Sequence, residues 1–61
     1  MKGTIFAYAD SARAGVIRAS DGSLHYFAGT DWVSGQGSPQ KGQDVVFQAG
    51  PQRAFRVRLD L

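Results

Sequence analysis

From Arg53 to Leu61 apolar and polar side chains alternate one for one, with Phe55, Val57, Leu59 and Leu61 in one series and Ala54, Arg56, Arg58 and Asp60 in the other. Successive side chains of an extended chain point to opposite faces, so this period of two predicts a strand with the Phe55 series turned inward. No window of the sequence sustains the i, i+3, i+4, i+7 apolar spacing of an amphipathic helix.

The rest of the chain follows the same rule. Eight glycines and many β-branched or aromatic residues favour short strands joined by turns. Strand one is expected over Lys2 to Ala9, with Ile5, Ala7 and Ala9 on one face and Thr4, Phe6 and Tyr8 on the other. Asp10-Ser11-Ala12-Arg13 turns the chain into strand two, Ala14 to Ala19, with Ile17 inward and Ala14, Val16 and Arg18 outward. Ser20-Asp21-Gly22-Ser23 reads as a tight hairpin with a primed turn, for which Asp-Gly is suited. Strand three, Leu24 to Ala28, sets Tyr26 and Ala28 against His25 and Phe27. Residues 34–42, rich in glycine and serine, offer almost nothing to bury and are expected as a long flexible loop. Strand four spans Gln43 to Gln48, Ala49-Gly50-Pro51-Gln52 turns, and strand five closes the order.

Five short strands with a long connection between the third and fourth predict an all-β domain, a five-stranded antiparallel barrel of the oligonucleotide/oligosaccharide-binding (OB) type. A chain of 61 residues forms one such domain, 1–61, with a small core. It contains no cysteine, so neither a disulfide nor a thiolate metal site is available, and a domain without staples suits a reducing cytoplasm. No apolar run approaches the ~20 residues of a membrane span, and Met1-Lys2-Gly3 does not lead into a signal segment. The expectation is a cytoplasmic location without direct membrane insertion.

Seven Lys and Arg against five Asp give a formal charge of +2, which permits a polyanionic partner without demanding one. Catalysis finds no support. No nucleophile sits beside a base in a motif, Glu is absent, and residues 34–42 lack the Gly-Lys-Ser/Thr ending of a phosphate-cradling loop. His25, the only histidine, cannot build a metal site alone, so no cofactor is expected.

Several segments carry a resemblance. Gly3-Thr4-Ile5-Phe6-Ala7-Tyr8, Ala14-Gly15-Val16-Ile17 and Asp21-Gly22 resemble, without a gap, the opening of bacterial cold-shock proteins: G-x-V-K-W-F, K-G-F-G-F-I, then D-G. Gly42-Gln43-Asp44-Val45-Val46-Phe47 is similar to the family's G-Q-x-V-x-F. Gly50-Pro51-Gln52 with Ala54 and Val57 is similar to its G-P-Q-A-x-x-V ending, with a one-residue slip. The resemblance implies the cold-shock form of the OB barrel and binding of single-stranded RNA or DNA on strands one to three. There, bases stack on exposed aromatics.

Carried over by position, the family's strand-one lysine, tryptophan and phenylalanine fall on Phe6, Ala7 and Tyr8. Its two strand-two phenylalanines fall on Ala14 and Val16, around the retained Gly15. Its exposed strand-three phenylalanine falls on Phe27, and the following histidine and phenylalanine fall on Gly29 and Thr30. Only Tyr8 and Phe27 keep an aromatic ring. Each lost platform removes about 1–3 kcal/mol per base, so the binding implied is weak and tolerant of sequence.

The candidate nucleic-acid-binding residues are therefore Phe6, Tyr8 and Phe27 for stacking, Lys2, Arg13 and Arg18 for phosphates, and His25 for a base contact or as surface decoration. Arg53, Arg56 and Arg58 either extend the basic track or guard an edge strand. Trp32 either closes one end of the barrel or anchors a protein partner. The alternative function is an interaction module that kept the barrel and lost the ligand, meeting a protein partner or a second copy through a Phe6/Val16/Phe27 face. The resemblance extends to bacterial membrane proteins carrying such a domain at the N-terminus, whose hydrophobic segment would lie outside the sequence shown.

Overall fold

A computed structural model describes residues 1–35 and 37–61; Gln36, inside the expected loop, lies outside the described residues. The strands are β1 (Lys2–Ala9), β2 (Ala14–Ala19), β3 (Leu24–Ala28), β4 (Asp44–Ala49) and β5 (Ala54–Leu59), with a 3-10 turn at Gly29–Asp31. Among the described residues no helix is long and apolar enough to cross a membrane.

The strands form one antiparallel sheet in the order β3-β2-β1-β4-β5, curled into a half-barrel around a single core. Ile5, Ile17, Phe27, Val45, Phe47 and Val57 fill that core with Ala19 and Ala54, and Tyr8 and Trp32 pack against it from its margins. The two sheet edges, β3 and β5, approach through the segment that follows β3. Trp32 bridges Val57 in parallel register, and the Val33 N–H donates to the Val57 carbonyl at 2.8 Å. The Trp32 indole Nε1 donates to the Gly37 carbonyl at 3.2 Å.

Two β-bulges reset the alternation. On β1, Ile5 pairs with Ile17 but Ala7 pairs with Val16, leaving Phe6 as the extra residue. A bulge reverses the facing of everything beyond it. Ala7 and Ala9, expected to share the face of Ile5, are exposed, and Tyr8 turns inward to become half-buried. On β5, Val46 pairs with Arg58 but Gln48 pairs with Phe55, and Arg56 takes a positive φ of 52°. The inward series expected on β5 is corrected accordingly. Val57 is buried, Ala54 is buried in place of Phe55, Phe55 and Leu59 are half-buried, and Leu61 is fully exposed beyond the strand.

The β2–β3 hairpin is likewise not a two-residue primed turn. Ala19 N–H donates to Ser23 and Gly22 N–H to Ala19, which closes a three-residue loop in which Gly22 alone has a positive φ, 90°. The Asp21 carboxylate accepts bonds from the Ser23 N–H (2.9 Å) and the Ser23 hydroxyl (2.6 Å). These bonds hold its pKa below the ordinary aspartate value.

Within the expected loop, Pro39 is buried and the Gly42 N–H donates to Ile5 at 2.8 Å. In the 3-10 turn after β3, Asp31 is 7% exposed and accepts from the Ala28 N–H (2.9 Å) and from Arg53 Nε (3.2 and 3.1 Å to its two oxygens). This pair ties the end of β3 to the β4–β5 hairpin.

Candidate nucleic-acid interface

The convex side of β1, β2 and β3 is built from crosswise rows. Thr4, Arg18 and Leu24 form one, Ala7, Val16 and Tyr26 the next, and Ala9, Ala14 and Ala28 the third. The β1 bulge lifts Phe6 out of the pairing between the first two rows, where its ring is 47% exposed. The Arg18 guanidinium carbon lies 4.9 Å from the centroid of that ring, within cation–π range. Tyr26 stands on the same side, 66% exposed. Beside Tyr26, Ala7, Ala9, Ala14 and Val16 leave a shallow aliphatic depression, which Tyr8 also borders.

Phe27 is not on this surface. It is 2% exposed and faces the core, contrary to the exposed position that the resemblance assigns it. Its ring stacks on Tyr8, centroids 5.8 Å apart and planes 16° apart, over Gly15 directly opposite on β2. A Cβ at Gly15 would come within 2.8 Å of the Phe27 ring, so only glycine leaves room for it. Tyr8 is thereby occupied as a half-buried packing partner rather than a free platform.

His25, expected on the surface, is half-buried on the inner side of β3. Its ring centroid lies 5.2 Å from that of Phe47, and its Nε2 is 2.8 Å from the Ser23 hydroxyl. Lys2 is exposed but stands on the far flank of β1, opposite Val46, and pairs with Asp60 at 3.7 Å. Arg13 is exposed in the β1–β2 turn, where its carbonyl accepts from the Gly29 N–H at 2.7 Å. Of the residues expected in the site, then, Phe6 and Arg18 are brought into contact, Arg13 and Lys2 lie at opposite margins, and Tyr8, His25 and Phe27 belong to the interior side.

Tyr26 is the aromatic that the positional carry-over missed. The signal is the alternation of β3, which sets Tyr26 opposite Phe27 in facing; in the structure Gly15 leaves the room that the inward Phe27 ring takes. Among the described residues no three His, Asp or Glu side chains are close enough to share a metal ion. What the surface offers is π faces beside a guanidinium. Comparison with known protein families, characterised proteins and solved structures found no match for this chain.

Proposed function

We propose that this chain is a cold-shock-like OB barrel that binds single-stranded RNA or DNA, weakly and with little sequence preference, on the convex side of β1–β3. Phe6 and Tyr26 stack bases, and Arg18 serves a phosphate or the edge of a stacked base. The reading rests on one observation above all: two exposed aromatic rings share a face with an arginine held against one of them. Stacking accepts any base and supplies about 1–3 kcal/mol per platform, so two platforms make a modest binder. The strand order, with the segment after β3 bridging in parallel to β5, is the connectivity expected if the half-barrel closes in the OB manner. A cytoplasmic bacterial setting accords with the family resemblance.

The direct test is an NMR titration of the labelled chain with a short single-stranded oligonucleotide at low salt. Saturable shifts at Phe6, Arg18 and Tyr26 that fade as salt rises support the reading, because phosphate neutralisation releases counterions. A spectrum unmoved at high oligonucleotide concentration overturns it.

One observation favours a second reading. Ala7, Ala9, Ala14 and Val16 form a flat aliphatic floor beside exposed Phe6, Leu24 and Tyr26, which suits self-association or a protein partner. With Phe27 buried, that face is Phe6/Val16/Tyr26. It predicts a concentration-dependent size by analytical ultracentrifugation, abolished by Phe6→Asp, with no response to oligonucleotide.

A further inference from the structure

We propose that the outer wall of β4 and β5 carries a separate anion site, which takes a phosphate monoester attached to an apolar body. The inference does not rest on the nucleic-acid reading. A groove of about 420 Å³ lies there, and Arg56, Arg58 and Gln48 border it together with the apolar Met1, Val33 and Val46. No carboxylate lines it. The ion pairs among the described residues are Lys2–Asp60 and Arg53–Asp31, so neither Arg56 nor Arg58 is engaged in one.

The backbone adds a second observation. Arg56 is the strained residue of the β5 bulge, with a φ of 52°. Glycine adopts that conformation freely, whereas a long side chain is uncommon there. Strain of this kind gathers where a side chain must be aimed, and bulges re-aim side chains. Here the bulge brings Arg56 to the same groove as Arg58, which stands across from Val46.

The ligand class follows from charge and shape. Two guanidiniums present forked donors that match phosphate oxygens and attract a phosphate monoester dianion of about −2, while the Met1 ammonium is held by the Phe47 carbonyl. Val33 and Met1 are each about half exposed at the rim, where an aromatic or aliphatic body would lie. A continuous phosphodiester strand fits less well. Asp44 and Asp60 line a groove shared with Lys2 and Arg18, so a phosphate strand carried on from Arg18 meets two repelling carboxylates. The site is therefore discrete.

The test is an NMR titration of the full chain with phenyl phosphate, inorganic phosphate and benzoate in parallel. The expected result is saturable shifts at Val33, Val46, Gln48 and Arg56, with phenyl phosphate the tightest of the three. Arg58→Gln and Arg56→Gly should each weaken it about threefold to fivefold, the scale of an exposed ion pair. Arg56→Gly retains the bulge conformation, so its loss of binding is not a loss of fold, and Phe6→Ala should leave the affinity unchanged. Absence of saturable shifts overturns the site, as does wild-type affinity in both arginine variants. Benzoate binding as tightly as phenyl phosphate overturns the phosphate assignment, and loss of binding in Phe6→Ala overturns its separation from the convex face.

Discussion

The ring of Phe27 lies nearly parallel to that of Tyr8, 5.8 Å away, with Gly15 beneath it. Phe27→Ala should therefore act on stability and not on ligand contacts. Emptying a buried phenylalanine site costs about 3–5 kcal/mol, which is of the order of the whole stability of a domain this small. Urea denaturation followed by circular dichroism should show a largely unfolded variant. A stable Phe27→Ala protein that has lost only oligonucleotide binding would return Phe27 to the surface.

Phe6→Ala and Tyr26→Ala should behave in the opposite way. Both rings are solvent-exposed, so unfolding midpoints should move by no more than about 0.5 kcal/mol equivalent. Oligonucleotide affinity, measured by fluorescence anisotropy, should fall by about 1–3 kcal/mol for each ring removed. Arg18→Ala should both weaken binding and reduce the slope of log affinity against log salt by about 0.7, the share of one phosphate on a single strand.

Asp31 is buried while Arg53 is mostly exposed, and the pair should respond unevenly to mutation. Asp31→Ala strips the Ala28 N–H of its acceptor, at a cost of about 1–3 kcal/mol. Asp31→Asn keeps an oxygen for that N–H and should cost less. Thermal melts of the two variants side by side give the comparison, and equal losses would mean that the charge, not the hydrogen bond, is what holds the turn.

Arg13 and Arg56 both sit at positive φ, 51° and 52°. Replacing either by glycine removes left-handed strain of about 1–2 kcal/mol, offset in part by the entropy that glycine loses on folding. Each single variant should gain about 0.5–1 kcal/mol, which is roughly 2–8 °C in a domain of this size. For Arg56 that gain should accompany weaker binding of phenyl phosphate, so stability and ligand binding would move in opposite directions.

Asp21 titrates below its ordinary range because Ser23 donates two hydrogen bonds to it, first from the hydroxyl and then from the backbone. A carboxylate whose pKa is depressed by folding stabilises the fold above its unfolded pKa. That contribution is lost as pH falls through the folded value. Ser23→Ala should raise the Asp21 pKa, read by carbon-detected NMR titration, and narrow that acid window. An unchanged titration would mean that the hydroxyl bond carries none of the shift.

Strand positions, the Asp21-Gly22 reversal and the inward Ile17 can be read from alternation and turn chemistry alone. Facing cannot be read through Phe6 and Arg56, because a bulge reverses parity and neither residue is the glycine that would announce one. That is why Ala7, Tyr8, Ala54 and Phe55 each came out on the other side. Phe27 failed for a different reason. Matching residue type to a family position selects the phenylalanine over its neighbour Tyr26, and the pairing of Gly15 with Phe27, which makes room for the inward ring, is set by a register that the sequence does not state. His25 went with it, since residues two apart on a strand share a face.

Trp32 is the only tryptophan, and it stands at the seam where the segment after β3 meets Val57 of β5. Its intrinsic fluorescence is thus an optical gauge of that seam, four residues beyond the end of β3. A red shift would report the parting of the two sheet edges. Quenching by an added oligonucleotide would mean that the ligand had reached the closure itself.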